Sequence, residues 1–164
     1  MKLKKRLRSL LSALLISLLS LALLTGCSDK EIQFATDVLT TILETQSYIS
    51  EDGTYTSKEE VAAYLHEYGH LPSNFITKKE AKKLGWISSE GNLDKVAPGM
   101  SIGGDYFGNY EGNLPESNDR DYYECDIDFD GTYRNAKRIV YSNDGLIYYT
   151  EDHYETFELL YGEE

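Results

Sequence analysis

The sequence has no apolar run of the roughly 20 residues that a membrane-spanning helix needs. Its most apolar stretch, residues 10–24, is shorter and follows five basic residues, Lys2, Lys4, Lys5, Arg6 and Arg8. That order is typical of a secretory signal peptide. The stretch ends in Leu24-Thr25-Gly26-Cys27, the pattern of a bacterial lipoprotein cleavage site. We therefore expect Cys27 to carry a lipid anchor at the outer face of the cell membrane, the alternative being an ordinary secretory signal with a chance cysteine.

Cysteine is nearly absent, since the chain of 164 residues contains only Cys27 and Cys125. A lipidated Cys27 leaves Cys125 without a partner, which excludes an internal disulfide. Cys125 lies in the alternating run 122–129, where it shares a face with Tyr123, Ile127 and Phe129. It is therefore predicted to be a buried apolar residue and not a catalytic thiol.

Positive charge is also scarce, because 16 lysines and arginines face 28 acidic residues and leave a net charge of −12. The negative field slows the approach of a polyanion, although a local group of cations can still hold one phosphate. The acidic runs are interpreted as a solvated surface that keeps an exported protein soluble. The sequence shows no internal repeat, low-complexity tract or cluster of metal ligands.

Three parts are predicted along the chain: a signal peptide at 1–26, a helical stalk or linker at 27–52, and one domain at 53–164. In the middle part Ala35, Val38, Leu39, Ile42 and Leu43 recur at helical spacing. This helix could act as a spacer above the membrane or pack against the domain, and the sequence leaves both possibilities open.

The domain is predicted to belong to the α+β class, with N-terminal helices followed by an antiparallel β-sheet. Capping patterns and apolar spacing predict helices at 57–69, 77–85 and 93–96. Runs rich in β-forming residues predict strands at 101–107, 122–129, 137–141, 146–150 and 156–160. The dipeptide Asp144-Gly145 between two of these runs is typical of a hairpin.

The stretch from Val61 to Phe157 contains, in order, the blocks ITK, EA, LGW, GNL, VAPG, SIGGD, DHY and TF. In this order they resemble barnase, binase and related small bacterial guanyl-preferring ribonucleases. The resemblance implies the microbial ribonuclease fold and an endoribonuclease that needs neither a metal nor another cofactor. It also places Trp86 in the core.

The resemblance implies the residues that carry out catalysis. Glu124 would act as the general base and His153 as the general acid, a division of roles that suits the ordinary pKa values of the two groups near pH 5 to 6. Lys78, Arg134 and Arg138 would hold the phosphate, and Asp105 would orient Lys78. RNA cleavage needs this set, because the 2′-hydroxyl must lose a proton, the 5′-oxygen must gain one, and the phosphorane gains negative charge. The product would be a 2′,3′-cyclic phosphate.

The resemblance further implies a base-reading loop at 108–112. Asn109 belongs to this loop and Glu111 would accept the guanine N–H groups, while Phe107 and Tyr154 would lie beside the base or substrate. Tyr110 departs from the family, which carries an arginine there. The lost cation should weaken binding of RNA and of an acidic, barstar-like protein inhibitor.

Two functions follow. The first is a monomeric, exported endoribonuclease that cleaves single-stranded RNA after guanosine, tethered to the membrane or secreted. The second is a surface lipoprotein that keeps the ribonuclease fold as a binding module with weak or no activity. The acidity and Tyr110 favour the second function, whereas the complete set of Glu124, His153 and the three cations favours the first.

Overall fold

A computed structural model describes residues 49–163 of the chain. The predicted signal peptide, Cys27 and the apolar segment at 35–43 lie outside these residues. Residues 49–52 contact the domain, since the hydroxyls of Tyr68 and Tyr64 donate to the carbonyls of Ile49 and Glu51, each at 2.9 Å. Within the described residues, none of the helices has the length and apolar character that crossing a membrane requires.

The first helix, α1 (Lys58–Tyr68), confirms the predicted capping and apolar spacing. The Ser57 hydroxyl accepts a hydrogen bond from the Glu60 amide, and Gly69 ends the helix with a φ of 75°. Glycine adopts this left-handed conformation without steric cost. Val61, Ala62 and Leu65 are buried along one side, which attaches the helix to the sheet.

Two shorter helices follow, α2 (Lys78–Lys83) and α3 (Leu93–Val96), with a single 3₁₀ turn at Ser88–Glu90 between them. Thr77 and Glu80 form a complete capping box at the start of α2, as the sequence predicted. The buried side chains of Ala81, Trp86 and Leu93 form a core beneath these helices together with Ala97, Ile102 and Phe129. This places Trp86 in the core, as expected.

Six strands form one sheet in the order β1 to β6: β1 (Phe75–Ile76), β2 (Ser101–Phe107), β3 (Tyr122–Asp126), β4 (Arg138–Ser142), β5 (Ile147–Thr150) and β6 (Glu158–Tyr161). β2 to β6 pair antiparallel in chain order, which confirms the predicted α+β architecture. The two-residue strand β1 pairs parallel to β2. It was not predicted, because two residues are too few to show an alternation.

The main core lies between α1 and one face of the sheet. Cys125, Ile127, Ile139 and Ile147 pack there against the apolar side of α1. Burial raises the pKa of the Cys125 thiol well above its ordinary value, which fits its expected role as an apolar core residue. The prediction that Phe129 shares this face was wrong. The chain leaves the strand after Asp126, and Phe129 enters the core beneath α2 and α3 instead.

Strand β2 passes close to its neighbours at Gly103. A Cβ atom there would lie 2.6 Å from the Cβ of Cys125 and 2.8 Å from Cδ1 of Phe75. The register of β2 against β3 shifts between Gly103 and Asp105, as occurs at a β-bulge. The shift leaves Asp105 opposite Glu124 and so directs both carboxylates to the face that α1 does not cover.

We expect Gly103→Ala to lower the free energy of unfolding by about 1 to 3 kcal/mol, because the added methyl group cannot fit without moving Cys125 or Phe75. Urea unfolding followed by circular dichroism would measure the change, with an unchanged m-value indicating that only stability is affected. An unchanged midpoint would contradict the close approach seen in the structure.

Candidate active site

The charged residues of the site lie on the sheet face opposite α1. The register pairs Glu124 with Asp105 and Val140, and Asp126 with Arg138. Because side chains alternate along a strand, Glu124 and Asp126 point away from the core that contains Cys125. Arg138, which lies opposite Asp126 on β4, is directed away from that core as well.

Glu124 is a buried carboxylate with hydrogen-bond donors at both oxygens. The ammonium group of Lys78 contacts Oε1, the hydroxyl of Tyr154 contacts Oε2, and Nη2 of Arg134 lies 3.9 Å from Oε1. Burial by itself would raise the pKa of Glu124, but the hydrogen bonds from Lys78 and Tyr154 outweigh it and lower the pKa below its ordinary value. The group is therefore ionised near neutral pH and can accept a proton.

Asp126 holds both arginines of the site, a role that the sequence reading did not assign. Its side chain is 1% exposed and receives a bidentate pair from Arg134, with Nε at 2.7 Å and Nη2 at 2.6 Å. Nε of Arg138 lies 3.0 Å from Oδ1 of the same carboxylate. The shared carboxylate therefore holds Arg134 near Glu124 and Arg138 on the same face of the sheet. The sequence did contain a signal for this role. Asp126 lies two residues after Glu124, a spacing that puts both side chains on the same face of a strand.

Arg138 is itself buried. Its Nη1 donates to the carbonyl of Lys137 at 2.6 Å and to that of Asn135 at 2.8 Å. The Asn135 side chain in turn donates to the carbonyls of Ile127 and Asp128. These bonds tie the loop between β3 and β4, which carries Arg134, to the end of β3.

The predicted pairing of Asp105 with Lys78 takes a different form. Oδ2 of Asp105 accepts the backbone amide of Lys78 at 2.9 Å, while the ammonium group of Lys78 contacts Glu124. Asp105 therefore positions the first residue of α2 by its main chain. The side chain of Lys78 remains directed at the carboxylate that the sequence reading named as the base.

His153 and Tyr154 lie in a tight loop between β5 and β6. Both have positive φ values, 60° and 77°, a conformation that non-glycine residues rarely adopt. Asp152 organises the loop by accepting hydrogen bonds from the Thr156 hydroxyl and from three further groups. These bonds, foremost those from Thr156, lower the pKa of Asp152 to about 2. The loop places the exposed His153 ring against Tyr154, with ring centroids 4.7 Å apart.

The predicted base-reading loop is a closed turn. The Asn109 amide side chain is occupied at both ends, accepting the Leu114 amide at 3.0 Å and donating to the Leu114 carbonyl at 2.9 Å. Asn109 therefore shapes the loop with its side chain. Glu111 is exposed, and Tyr110 at the tip is 91% exposed. Phe107 packs against Tyr154 with ring centroids 5.1 Å apart.

The structure thus brings together most of the predicted site. Lys78, Arg134 and Tyr154 contact Glu124 directly, Arg138 joins through Asp126, and His153 and Phe107 join through Tyr154. Within the described residues, Glu111 makes no hydrogen bond or ion pair with this group and is exposed on the loop at 108–112. Within residues 49–163, no group of His, Cys, Asp or Glu side chains could hold a metal ion.

The arrangement combines an ionised carboxylate, an accessible imidazole and three cations. A carboxylate and an imidazole can pass a proton to and from a substrate, and guanidinium and ammonium groups stabilise an anion that gains charge. Arginine is suited to a phosphate because its planar donors match the phosphate oxygens. The geometry therefore fits chemistry at a phosphate group.

Comparison with known proteins points to the same chemistry. The sequence model of the ribonuclease family matches residues 58–161. A ribonuclease of Heyndrickxia coagulans is 57% identical over 97 residues, which cover 59% of this chain and 89% of that protein. The ribonuclease of Bacillus intermedius is also 57% identical over 97 residues, which cover 60% of its length. Guanyl-specific ribonuclease St of Saccharopolyspora erythraea is 42% identical over 57 residues, 34% of this chain and 56% of that protein.

We expect Asp126→Asn to lower the free energy of unfolding by about 3 to 5 kcal/mol, because it leaves two enclosed guanidinium groups without their counter-charge. Urea unfolding at pH 7 would measure the loss. The matched control is Asp128→Asn, whose carboxylate is 44% exposed and pairs with Lys137 at 2.7 Å. Asparagine tolerates the left-handed backbone there, so the control should lose less than about 1 kcal/mol. Equal losses would contradict the role of Asp126.

Proposed function

Because the chain belongs to the ribonuclease family, we propose that it is an exported, metal-independent endoribonuclease that cleaves single-stranded RNA after guanosine. The observation that carries the proposal is the buried carboxylate of Glu124, surrounded by Lys78, Arg134 and, through Asp126, Arg138. A carboxylate kept ionised among cations can remove a proton from a hydroxyl that lies next to a phosphate.

The reaction is a transphosphorylation. Glu124 takes the proton of the 2′-hydroxyl, the 2′-oxygen forms a bond to phosphorus, and the bond from phosphorus to the 5′-oxygen breaks. His153 gives a proton to the departing 5′-oxygen, which leaves a 2′,3′-cyclic phosphate. Water then opens the cyclic phosphate with the two roles reversed. DNA lacks the 2′-hydroxyl and should not react.

Glu124 can play this role although Lys78 and Tyr154 already contact it. A carboxylate has about four lone-pair sites, so two remain for the substrate hydroxyl. The same donors keep the carboxylate ionised, which the base requires. Lys78, Arg134 and Arg138 then stabilise the charge that develops on the phosphorane oxygens.

Preference for guanosine rests on the loop at 108–112. Glu111 is exposed on this loop and can accept the N1–H and N2–H groups of guanine, while the Asn109 bonds to Leu114 hold the turn in shape. The similarity to a guanyl-specific ribonuclease supports this preference. Tyr110 supplies an exposed ring in place of a cation, so binding of RNA at this loop should depend less on charge.

The cellular setting is part of the proposal. The basic start, the apolar run and Cys27 support export and a lipid anchor, which would place a monomeric enzyme at the outer face of the membrane. An acidic, barstar-like inhibitor would bind the cationic site, but less tightly than in relatives because Tyr110 replaces an arginine. The exposure of Tyr110 on an acidic protein also supports the second candidate, a binding module with weak activity.

The deciding experiment uses the soluble chain from Ser28, which omits the signal peptide and Cys27, with an RNA oligonucleotide containing one guanosine, in EDTA at pH 6. Cleavage after guanosine with a cyclic phosphate product is expected. Glu124→Ala and His153→Ala should each lower kcat by roughly 10² to 10⁴, the usual contribution of an acid or base. A folded wild-type protein that leaves the RNA intact would favour the binding module, and activity lost only because of EDTA would contradict metal independence.

The pH dependence tests the role of the Tyr154 hydroxyl. Tyr154→Phe removes a hydrogen bond that lowers the pKa of Glu124, so this pKa should rise. Since the base must be ionised, the acid limb of the kcat/KM profile should move to higher pH. The comparison is a pH series of initial rates for both proteins. The control is Tyr106→Phe, because Tyr106 lies on the face of β2 that is turned away from Asp105 and Glu124. An acid limb that stays in place would contradict the assignment of Glu124 as the base.

A further inference from the structure

We propose that three exposed lysines of α2, Lys79, Lys82 and Lys83, form an additional binding site for RNA phosphates that flank the reacting one. The proposal rests on the proposed ribonuclease function and extends its site. These three residues are called the lysine face below.

The lysine face is a concentrated positive charge on an acidic protein. Helix α2 reads KKEAKK and contains four lysines and one glutamate, whereas the whole chain has a net charge of −12. Lys79, Lys82 and Lys83 are exposed. They stand at positions i, i+3 and i+4 of the helix, a spacing that places side chains on one face.

The charge of the lysine face is little used within the described residues. The pKa of Glu80 is lowered chiefly by hydrogen bonds from Thr77, and the charge of Lys83 adds a smaller effect. Within the part of the chain that the structure describes, no ion pair involves Lys79, Lys82 or Lys83. The one acid of the helix, Glu80, is occupied by the capping box, accepting the Thr77 amide at 2.9 Å and the Thr77 hydroxyl at 2.7 Å. Three neighbouring ammonium groups repel one another, so an anion bound among them would relieve a cost.

The lysine face adjoins the catalytic group. Lys78 is the first residue of the same helix, and its ammonium group contacts Glu124. A helix of six residues is about 9 Å long, so Lys82 and Lys83 lie about one turn beyond Lys78. An RNA strand whose reacting phosphate is at Lys78 can therefore place a neighbouring phosphate beside them.

The same arrangement favours RNA over an anionic membrane as the partner. Binding to a lipid surface would not require the lysine face to lie next to Glu124. Binding along one RNA strand does require it, because neighbouring phosphates must reach both places. The local charge also offsets the field of the acidic surface at the place where a polyanion must enter. The anionic membrane remains an outcome that the test can distinguish.

The test compares two double variants in the soluble chain from Ser28. Lys82→Gln with Lys83→Gln removes two charges of the lysine face and spares Lys79, which adjoins Lys78. Lys58→Gln with Lys95→Gln is the matched control. It removes the same charge from places outside the lysine face, where Lys58 pairs with Glu158 and Lys95 is exposed.

Each protein is assayed on a 20-nucleotide RNA and on the dinucleotide GpU, which contains only the reacting phosphate. For the long RNA we expect the lysine-face variant to raise KM roughly five- to tenfold at low salt with unchanged kcat. The slope of log(kcat/KM) against log[salt] should become shallower by about 1.4, since each phosphate contact on a single strand contributes about 0.7. GpU kinetics and the control variant should match the wild type.

A binding measurement separates this proposal from the proposed function. A 2′-O-methyl RNA of 20 nucleotides has no free 2′-hydroxyl and cannot be cleaved, so its affinity reports on the lysine face even if the wild type is inactive. Failure of the wild type to cleave both GpU and the 20-nucleotide RNA would overturn the proposed function alone. Equal affinity of wild type and lysine-face variant for the 2′-O-methyl RNA, or equal loss in the control variant, would overturn the lysine face. Binding to phosphatidylglycerol vesicles that only the lysine-face variant loses, with RNA affinity unchanged, would assign these residues to lipid instead.

Discussion

Two guanidinium groups share one buried carboxylate at the centre of this protein, and the geometry of the site depends on that interaction. Asp126 receives Arg134 through two short hydrogen bonds and lies 3.0 Å from Nε of Arg138. Guanidinium groups without this partner would have to leave the sheet or lose their hydration uncompensated. Because Asp126 and Glu124 are alternate residues of β3, both carboxylates lie on the same face of the sheet.

Carboxylates also position the two segments of chain that contact Glu124. Tyr154 contacts the carboxylate from the loop after β5, where His153 and Tyr154 both have positive φ values. Hydrogen bonds from backbone amides to Asp152 stabilise that loop. On the other side, Asp105 holds the backbone of Lys78 so that its side chain reaches Glu124. The groups that would touch a substrate are thus positioned by carboxylates that need not touch it, as preorganised sites require.

The charge of the chain has to be considered at two scales. A net charge of −12 would by itself argue against a protein that binds RNA. The structure gathers cations around two buried carboxylates instead, with Arg134 and Arg138 on Asp126 and Lys78 on Glu124. An acidic surface and a cationic site are compatible because salt largely screens exposed charges that are more than about 10 Å apart. Partly buried groups in contact are screened much less.

The sequence by itself determined the helices, the strands from β2 to β6 and the burial of Cys125, because these follow from local spacing and caps. The order of the motifs indicated which charged residues to assign to the candidate site. It did not reveal the strand β1, which is too short for a pattern, nor the turn that sends Phe129 to another core. Only the tertiary structure decided that Asp126 holds both arginines, that Asp105 meets the backbone of Lys78, and that Tyr154 reaches Glu124. These contacts join residues from different strands, helices and loops, so they depend on strand register and loop geometry, which no local pattern encodes.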